Sequence, residues 1–243
     1  MIVKLLSLIF ITNKIDGANN KTLQVEVYLD FIDEWKVLCA ASILNSFWIV
    51  SAAHCFEGSY IDENLRIRAG TSRLGEGGVI HYVDFVRNNP DYGKLARNDA
   101  DIACVKLVKP LQFSKVIQPA DINYSNIELP PDTPAQYIGW GVGGPQSDTL
   151  LHVTVKIVNH TQCAEQYKKV NGTVTSTMIC AGDWAEGGVG SCKGDSGGPL
   201  YYHGVVYGIV SWGYSCAKPQ FPGVSTDIAS YAKWINETVQ ANI

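Results

Sequence analysis

Gly194, Asp195, Ser196, Gly197, Gly198 and Pro199 form the strongest chemical signal in the chain. Glycines on both sides of a serine let the backbone turn sharply and approach a substrate closely, which exposes the Ser196 hydroxyl and frees neighbouring N–H groups to hold an oxyanion. A serine hydroxyl attacks poorly until a base takes its proton, so the run has catalytic meaning only with a histidine and a carboxylate. The same residues satisfy the Gly-x-Ser-x-Gly elbow of α/β-hydrolases, where the acid and then the base follow the serine. Downstream of Ser196 the sole histidine is His203, and no carboxylate lies between them. That order cannot be built here, so base and acid must come from upstream.

Among the five histidines at positions 54, 81, 152, 160 and 203, His54 stands apart. It closes the run Val50, Ser51, Ala52, Ala53, His54, Cys55, a strand end passing into small residues and a cysteine. The carboxylate that suits it is Asp101, at the head of the apolar run Ile102 to Leu107. A carboxylate buried there needs hydrogen-bond partners. Asp99 competes, but it belongs to the polar turn Arg97 to Asp99 and reads as solvated.

These residues must be positioned by short strands. Leu23–Leu29, Ser46–Val50, Ile102–Val108, Leu151–Val158 and Val205–Trp212 are strand candidates broken by Gly, Pro, Asn and Asp, the pattern of a barrel or sandwich. Leu129 to Pro134 is the best linker candidate near the midpoint. Only the C-terminus reads as helical: Ile228, Tyr231, Trp234 and Ile235 share one face, with Thr226 as the expected cap and Asp227 in the first turn.

At 243 residues, with 46% hydrophobic and 17% charged residues, the chain can build a sizeable core. A net charge of −4 without clustered Lys and Arg argues against nucleic acid. Leu5 to Ile11 behind Lys4 is too short to cross a bilayer and reads as the core of a secretion signal. Asn-x-Ser/Thr triplets at Asn20, Asn123, Asn159, Asn171 and Asn236 agree with export. Seven cysteines in an exported chain suggest disulfides plus one spare thiol, but the count does not choose the pairing.

Five motifs in order, Ala52-Ala53-His54-Cys55, Asp101-Ile102-Ala103, Gly139-Trp140-Gly141, Gly194 to Pro199, and Ser211-Trp212-Gly213, make the chain resemble the chymotrypsin/trypsin family of serine peptidases from Ile15 to Ile235. The resemblance implies an all-β fold of two packed six-stranded antiparallel barrels with a C-terminal helix. It divides the chain into a signal and activation segment at 1–14 and a peptidase domain at 15–243. Within the latter the first barrel covers about 15–120, the second about 121–226 and the helix about 227–240. It implies Ser196 as nucleophile, His54 as base, Asp101 as the residue orienting it, and the N–H groups of Gly194 and Ser196 as oxyanion hole. It pairs Cys39 with Cys55, Cys163 with Cys180 and Cys192 with Cys216, leaving Cys104 as a buried free thiol. Activation follows a cut at Lys14-Ile15, after which the new amino group pairs with Asp195; Asp16 departs from the aliphatic residue usual after the isoleucine.

The resemblance also places a specificity pocket at Gly190, Ser191, Lys193, Gly213, Gly223 and Ser225, with Ser211, Trp212 and Gly213 binding the substrate backbone as an added strand. Trypsins carry an aspartate where Gly190 stands, and without it a buried Lys or Arg side chain has no partner. Glycines at 213 and 223 leave room for Phe, Tyr, Leu or Met. Ser225 stands where a tyrosine is usual, and Lys193 adds a charge at the rim. Expected partners are protein or peptide substrates, proteinaceous serine protease inhibitors and an activating trypsin-like protease, for a secreted monomer with no membrane contact. No cofactor is implied and no metal, since the loop Gly70 to Gly78 holds the single carboxylate Glu76. The competing expectation is a catalytically silent homologue acting as a binding or regulatory protein, supported by Asp16 and by Ala40-Ala41 in place of paired glycines.

Overall fold

The computed structural model describes residues 13–14, 24–31, 34–58, 65–125, 127–141 and 147–241. The readings made for Leu5–Ile11, Ile15, Asp16, Asn20 and Leu23 lie outside them. Two antiparallel barrels of six strands each form the molecule. The first closes in the order β2 (Gln24–Phe31), β3 (Glu34–Ile43), β4 (Trp48–Ser51), β7 (Ala103–Leu107), β6 (Val79–Asn88) and β5 (Leu65–Ala69). The second runs through β9 (Pro134–Gly139), β10 (Leu151–Ile157), β11 (Met178–Gly182), β14 (Gly223–Asp227), β13 (Val205–Trp212) and β12 (Pro199–Tyr202), which returns to β9. Two short additions extend it: β1 (Asn13–Lys14) pairs with β10 and β8 (Asp121–Ile122) with β13. Among the described residues no helix is long and apolar enough to cross a membrane.

Alternation decides which side chains fill each barrel. In β5 Leu65, Ile67 and Ala69 point inward while Arg66 and Arg68 do not, and in β9 the inward set is Ala135, Tyr137 and Gly139. The core of the first barrel continues through Val206 and Ile209 of β13 to Ile228 and Ile235, so the C-terminal segment docks as its apolar face requires.

Three local expectations need correction. The chain joins the second sheet at β8, before Leu129–Pro134, so that stretch is the approach to β9 and not the junction between barrels. The C-terminal segment begins as a 3-10 turn at Ala229–Tyr231 and becomes α-helix only at Ala232–Gln240 (α2). Its cap is Asp227, which accepts from the Ala229 and Ser230 N–H groups, because the Thr226 hydroxyl is spent on the Asp101 carbonyl at 2.9 Å. A further helix, α1 (His160–Lys168), was not expected; Asn159 caps it through the Gln162 N–H, and only Cys163 and Tyr167 are buried, too few to write a periodic stripe.

Asp99 is also corrected. It is buried, at 6% exposure, and accepts from Thr175 Oγ1 at 2.6 Å and Thr177 Oγ1 at 2.9 Å. The turn is polar in sequence but folds against the second barrel, so Asp99 ties the approach to β7 to the approach to β11. Asp99→Ala removes the charged acceptor of a buried hydroxyl and is expected to cost about 1–3 kcal/mol in urea unfolding with the disulfides intact. A loss under 0.5 kcal/mol, within the range of ordinary surface substitutions, would mean that water replaces the carboxylate there.

Candidate active site

β4 ends at Ser51, and the chain folds into a single 3-10 turn, Ala53–Phe56, that carries His54 out of the barrel wall at 24% side-chain exposure. The turn is pinned from beneath by the Cys39–Cys55 disulfide. Asp101 lies just before β7, fully buried, and three donors converge on it. The His54 backbone N–H reaches Oδ1 at 2.8 Å, His54 Nδ1 reaches Oδ2 at 2.7 Å, and the Ser211 hydroxyl donates to the same Oδ2. This replaces the hydration a buried carboxylate has lost. With Asp101 ionised, Nδ1 must carry the proton, which leaves Nε2 as the basic nitrogen.

Ser211 reaches Asp101 because β13 bulges: Val210 pairs with Ser225 and Trp212 with Val224, so Ser211 is the extra residue, turned inward. The resemblance had given Ser211 a role through its backbone only; its hydroxyl is a contribution that no motif spacing announces, since 110 residues separate it from Asp101.

Ser196 sits half-buried on a turn held at both ends. Its carbonyl accepts from Ala40 N–H at 2.8 Å, and Gly197 N–H donates to Val210 O at 2.8 Å. A Cβ at Gly197 would lie 2.0 Å from Ser51 Oγ and 2.3 Å from Ala40 O, so a glycine is required for this close approach. Ala40 and Ala41 are fully buried, and the tether from Ala40 survives the replacement of the usual glycines. Among the described residues the N–H groups of Gly194 and Ser196 have no acceptor, whereas the Asp195 N–H between them is used by Cys192 O at 3.1 Å. Two free donors flanking the nucleophile are what an oxyanion needs. The imidazole makes no hydrogen bond to Ser196 Oγ, a contact that commonly tightens only when substrate is bound.

Asp195 turns away from Ser196 into the second barrel. Its carboxylate accepts from Gly141 N–H at 3.0 Å and Cys192 N–H at 2.9 Å, and burial raises its pKa above the usual carboxylate value, with those two bonds opposing the rise. A Cβ on Gly139 would come within 2.0 Å of Asp195 Oδ1, so the Gly139-Trp140-Gly141 run makes room for this carboxylate. Lys14 pairs with Leu151 at the end of β1. Cys163–Cys180 and Cys192–Cys216 are joined, and Cys104 is the buried free thiol, its pKa pushed up to about 12 by burial.

Residues 14–235 match the family model described as Trypsin. The chain belongs to the trypsin family. It is 40% identical to "Trypsin, alkaline C" of Manduca sexta over 82% of this chain and 78% of that protein, and 40% identical to a trypsin of Phaedon cochleariae over 83% and 79%. A vitellin-degrading protease of Bombyx mori is 36% identical over 83% and 76%. The chain is therefore a serine endopeptidase, a hydrolase of protein or peptide substrates, and the silent-homologue reading is not favoured.

Against that trypsin-family background the residues expected to form the specificity pocket include no carboxylate. Gly190, half-buried, faces Ala217, whose Cα lies 3.6 Å from where a Cβ would be, and Ser191 follows it. Gly213, just past β13, faces Gly223 at the start of β14, with 4.0 Å between a Cβ on the first and the Cα of the second. Lys193 is exposed, whereas Ser225 is fully buried and bonded to Tyr137 Oη at 3.2 Å. Among the described residues the one grouping of metal-ligand type, Cys39, His54 and Cys55, has its two sulfurs joined to each other and offers no thiolate. The loop Gly70–Gly78 is organised instead by buried Glu26, which receives the Gly75 N–H and pairs with Arg68 at 3.6 Å.

Proposed function

We propose that the chain is a secreted endopeptidase, made as a zymogen cut at Lys14-Ile15, that cleaves after large apolar residues through an acyl-enzyme on Ser196. What carries the reading is the bond from His54 Nδ1 to buried Asp101, together with a serine whose own N–H and that of Gly194 have no acceptor among the described residues. Nε2 of His54 takes the Ser196 proton as Oγ attacks the scissile carbonyl. The carbonyl oxygen, now negative, is held by the Gly194 and Ser196 N–H groups. His54, charged at this stage and stabilised by Asp101, returns the proton to the leaving amine, and water then repeats the sequence on the ester. Ser211 to Gly213 align the substrate backbone as an added strand.

The apolar preference is supported by the missing charge at Gly190 and by the two wall glycines. Export is supported by the three disulfides and by triplets whose asparagines are exposed at Asn159, Asn171 and Asn236. Asn123 does not support it, being buried with its amide donated to Ile127 O at 2.9 Å.

The test is a panel of peptide amides differing only at the residue before the scissile bond, given to protein cut after Lys14 and titrated by an organofluorophosphonate. Phe, Tyr, Leu and Met substrates are expected to exceed Arg by roughly 100-fold or more in kcat/KM, the order that leaving a buried cation unpaired implies. Preference for Arg would overturn the pocket reading, and correctly cut protein that neither labels nor turns over would overturn the mechanism.

A further inference from the structure

Ser225, fully buried on β14, is met by a phenol from another strand. Tyr137 reaches in from β9, where its backbone is paired with Val153 on one side and Leu200 on the other. It packs among Ala135, Val155, Leu200 and Val210, only 3% exposed, and its hydroxyl bonds Ser225 Oγ at 3.2 Å. A Cβ built on Gly223 would lie 3.2 Å from Tyr137 Oη and 2.8 Å from Ser191 Oγ, so both hydroxyls meet at that wall glycine. Of the two, Ser191 is the half-buried one.

We propose that Tyr137 is a specificity-determining positioning residue of the substrate pocket, giving it a neutral, acceptor-rich floor through Ser191 that favours tyrosine over phenylalanine before the scissile bond. The inference rests on the apolar pocket reading above and deepens it. A hydroxyl has two lone pairs for each proton, so a cluster of the Tyr137, Ser191 and Ser225 hydroxyls keeps more acceptors than donors after bonding internally. An incoming phenol can donate to it, whereas a phenyl ring leaves those lone pairs buried and unmatched. Burial pushes the Tyr137 phenol up to about 12 and keeps it protonated, so the floor offers no counter-charge to lysine or arginine.

The test compares kcat/KM for matched Tyr and Phe peptide amides in the cut wild-type enzyme, Tyr137→Phe and Ser191→Ala, each normalised by active-site titration. The wild type is expected to prefer Tyr, and each variant to lower the Tyr-to-Phe ratio roughly 3- to 10-fold, the size of one neutral hydrogen bond. In each variant the Tyr substrate should lose more than the Phe substrate, and the ratio is the readout. A merely structural role would lower both substrates together; an unchanged ratio in Tyr137→Phe would overturn the inference. Should Tyr137→Phe not fold, an unchanged ratio in Ser191→Ala overturns it equally. A wild type that is active but cleaves neither Tyr nor Phe substrates would instead sink the apolar pocket reading.

Discussion

Asp101→Asn is expected to lower kcat on the order of 10⁴-fold with a much smaller change in KM, a size typical of this substitution in Ser-His-Asp sites and not one obtained from the distances here. The geometry explains the direction. Oδ1 accepts the His54 backbone N–H, while Oδ2 accepts both Nδ1 and the Ser211 hydroxyl. An asparagine has one acceptor oxygen. Placed toward the backbone N–H, it turns its NH₂ toward Nδ1, which must then accept; the ring proton moves to Nε2, and the base can no longer take the Ser196 proton. The flipped amide sets donor against donor at the backbone and leaves a buried N–H unmatched. Steady-state kinetics beside urea unfolding would separate this from loss of fold. Retention of activity within 10-fold would show that Asp101 does not set the tautomer. Ser211→Ala removes one of two donors from Oδ2 and leaves the tautomer intact, so its expected effect is only about 3- to 10-fold.

What the sequence conveyed followed from where local motifs coincide with local structure. Residues that act close to their neighbours in the chain were legible: the turn carrying His54, the glycine-bounded loop at Ser196, and the strand Val205–Trp212, found with those bounds. Residues whose meaning lies across the fold were not. Asp99 reads as a solvated turn because its partners, Thr175 and Thr177, come 76 and 78 residues later. Thr226 makes a plausible cap until Asp101 claims its hydroxyl. Tyr137 alternates correctly for a core strand, and nothing in that alternation says that its hydroxyl meets Ser225, 88 residues on. Position 225 was marked as a departure, yet the side chain that bonds it sits on a different strand.

Asp195→Asn is expected to lower kcat/KM of protein cut after Lys14 on the order of 10³-fold if, as proposed, the new Ile15 ammonium pairs with Asp195 and orders the oxyanion loop, because removing one partner of a buried ion pair costs about 3–5 kcal/mol. In the uncut chain the carboxylate is buried on two N–H donors, with its pKa raised chiefly by burial. A raised native pKa means that the native state holds the proton longer than the unfolded chain. Stability therefore falls as pH rises from the ordinary carboxylate value through the raised one, and the cost is complete above it. Cutting after Lys14 gives Ile15 an ammonium. Paired with Asp195, it pulls the pKa below the ordinary value and reverses the sign, so stability is present above the unfolded pKa and lost as pH falls through the folded one. Uncut protein should thus lose Tm relative to cut protein as pH rises above the ordinary carboxylate pKa of about 4. Asp227, also raised by burial, contributes the same slope to both forms and cancels in the difference. Asp195→Asn, having no charge to desolvate or pair, should abolish the difference altogether. Thermal unfolding of the four proteins across that range checks it, and a cut-minus-uncut difference that persists in Asp195→Asn would assign the activating contact to another carboxylate.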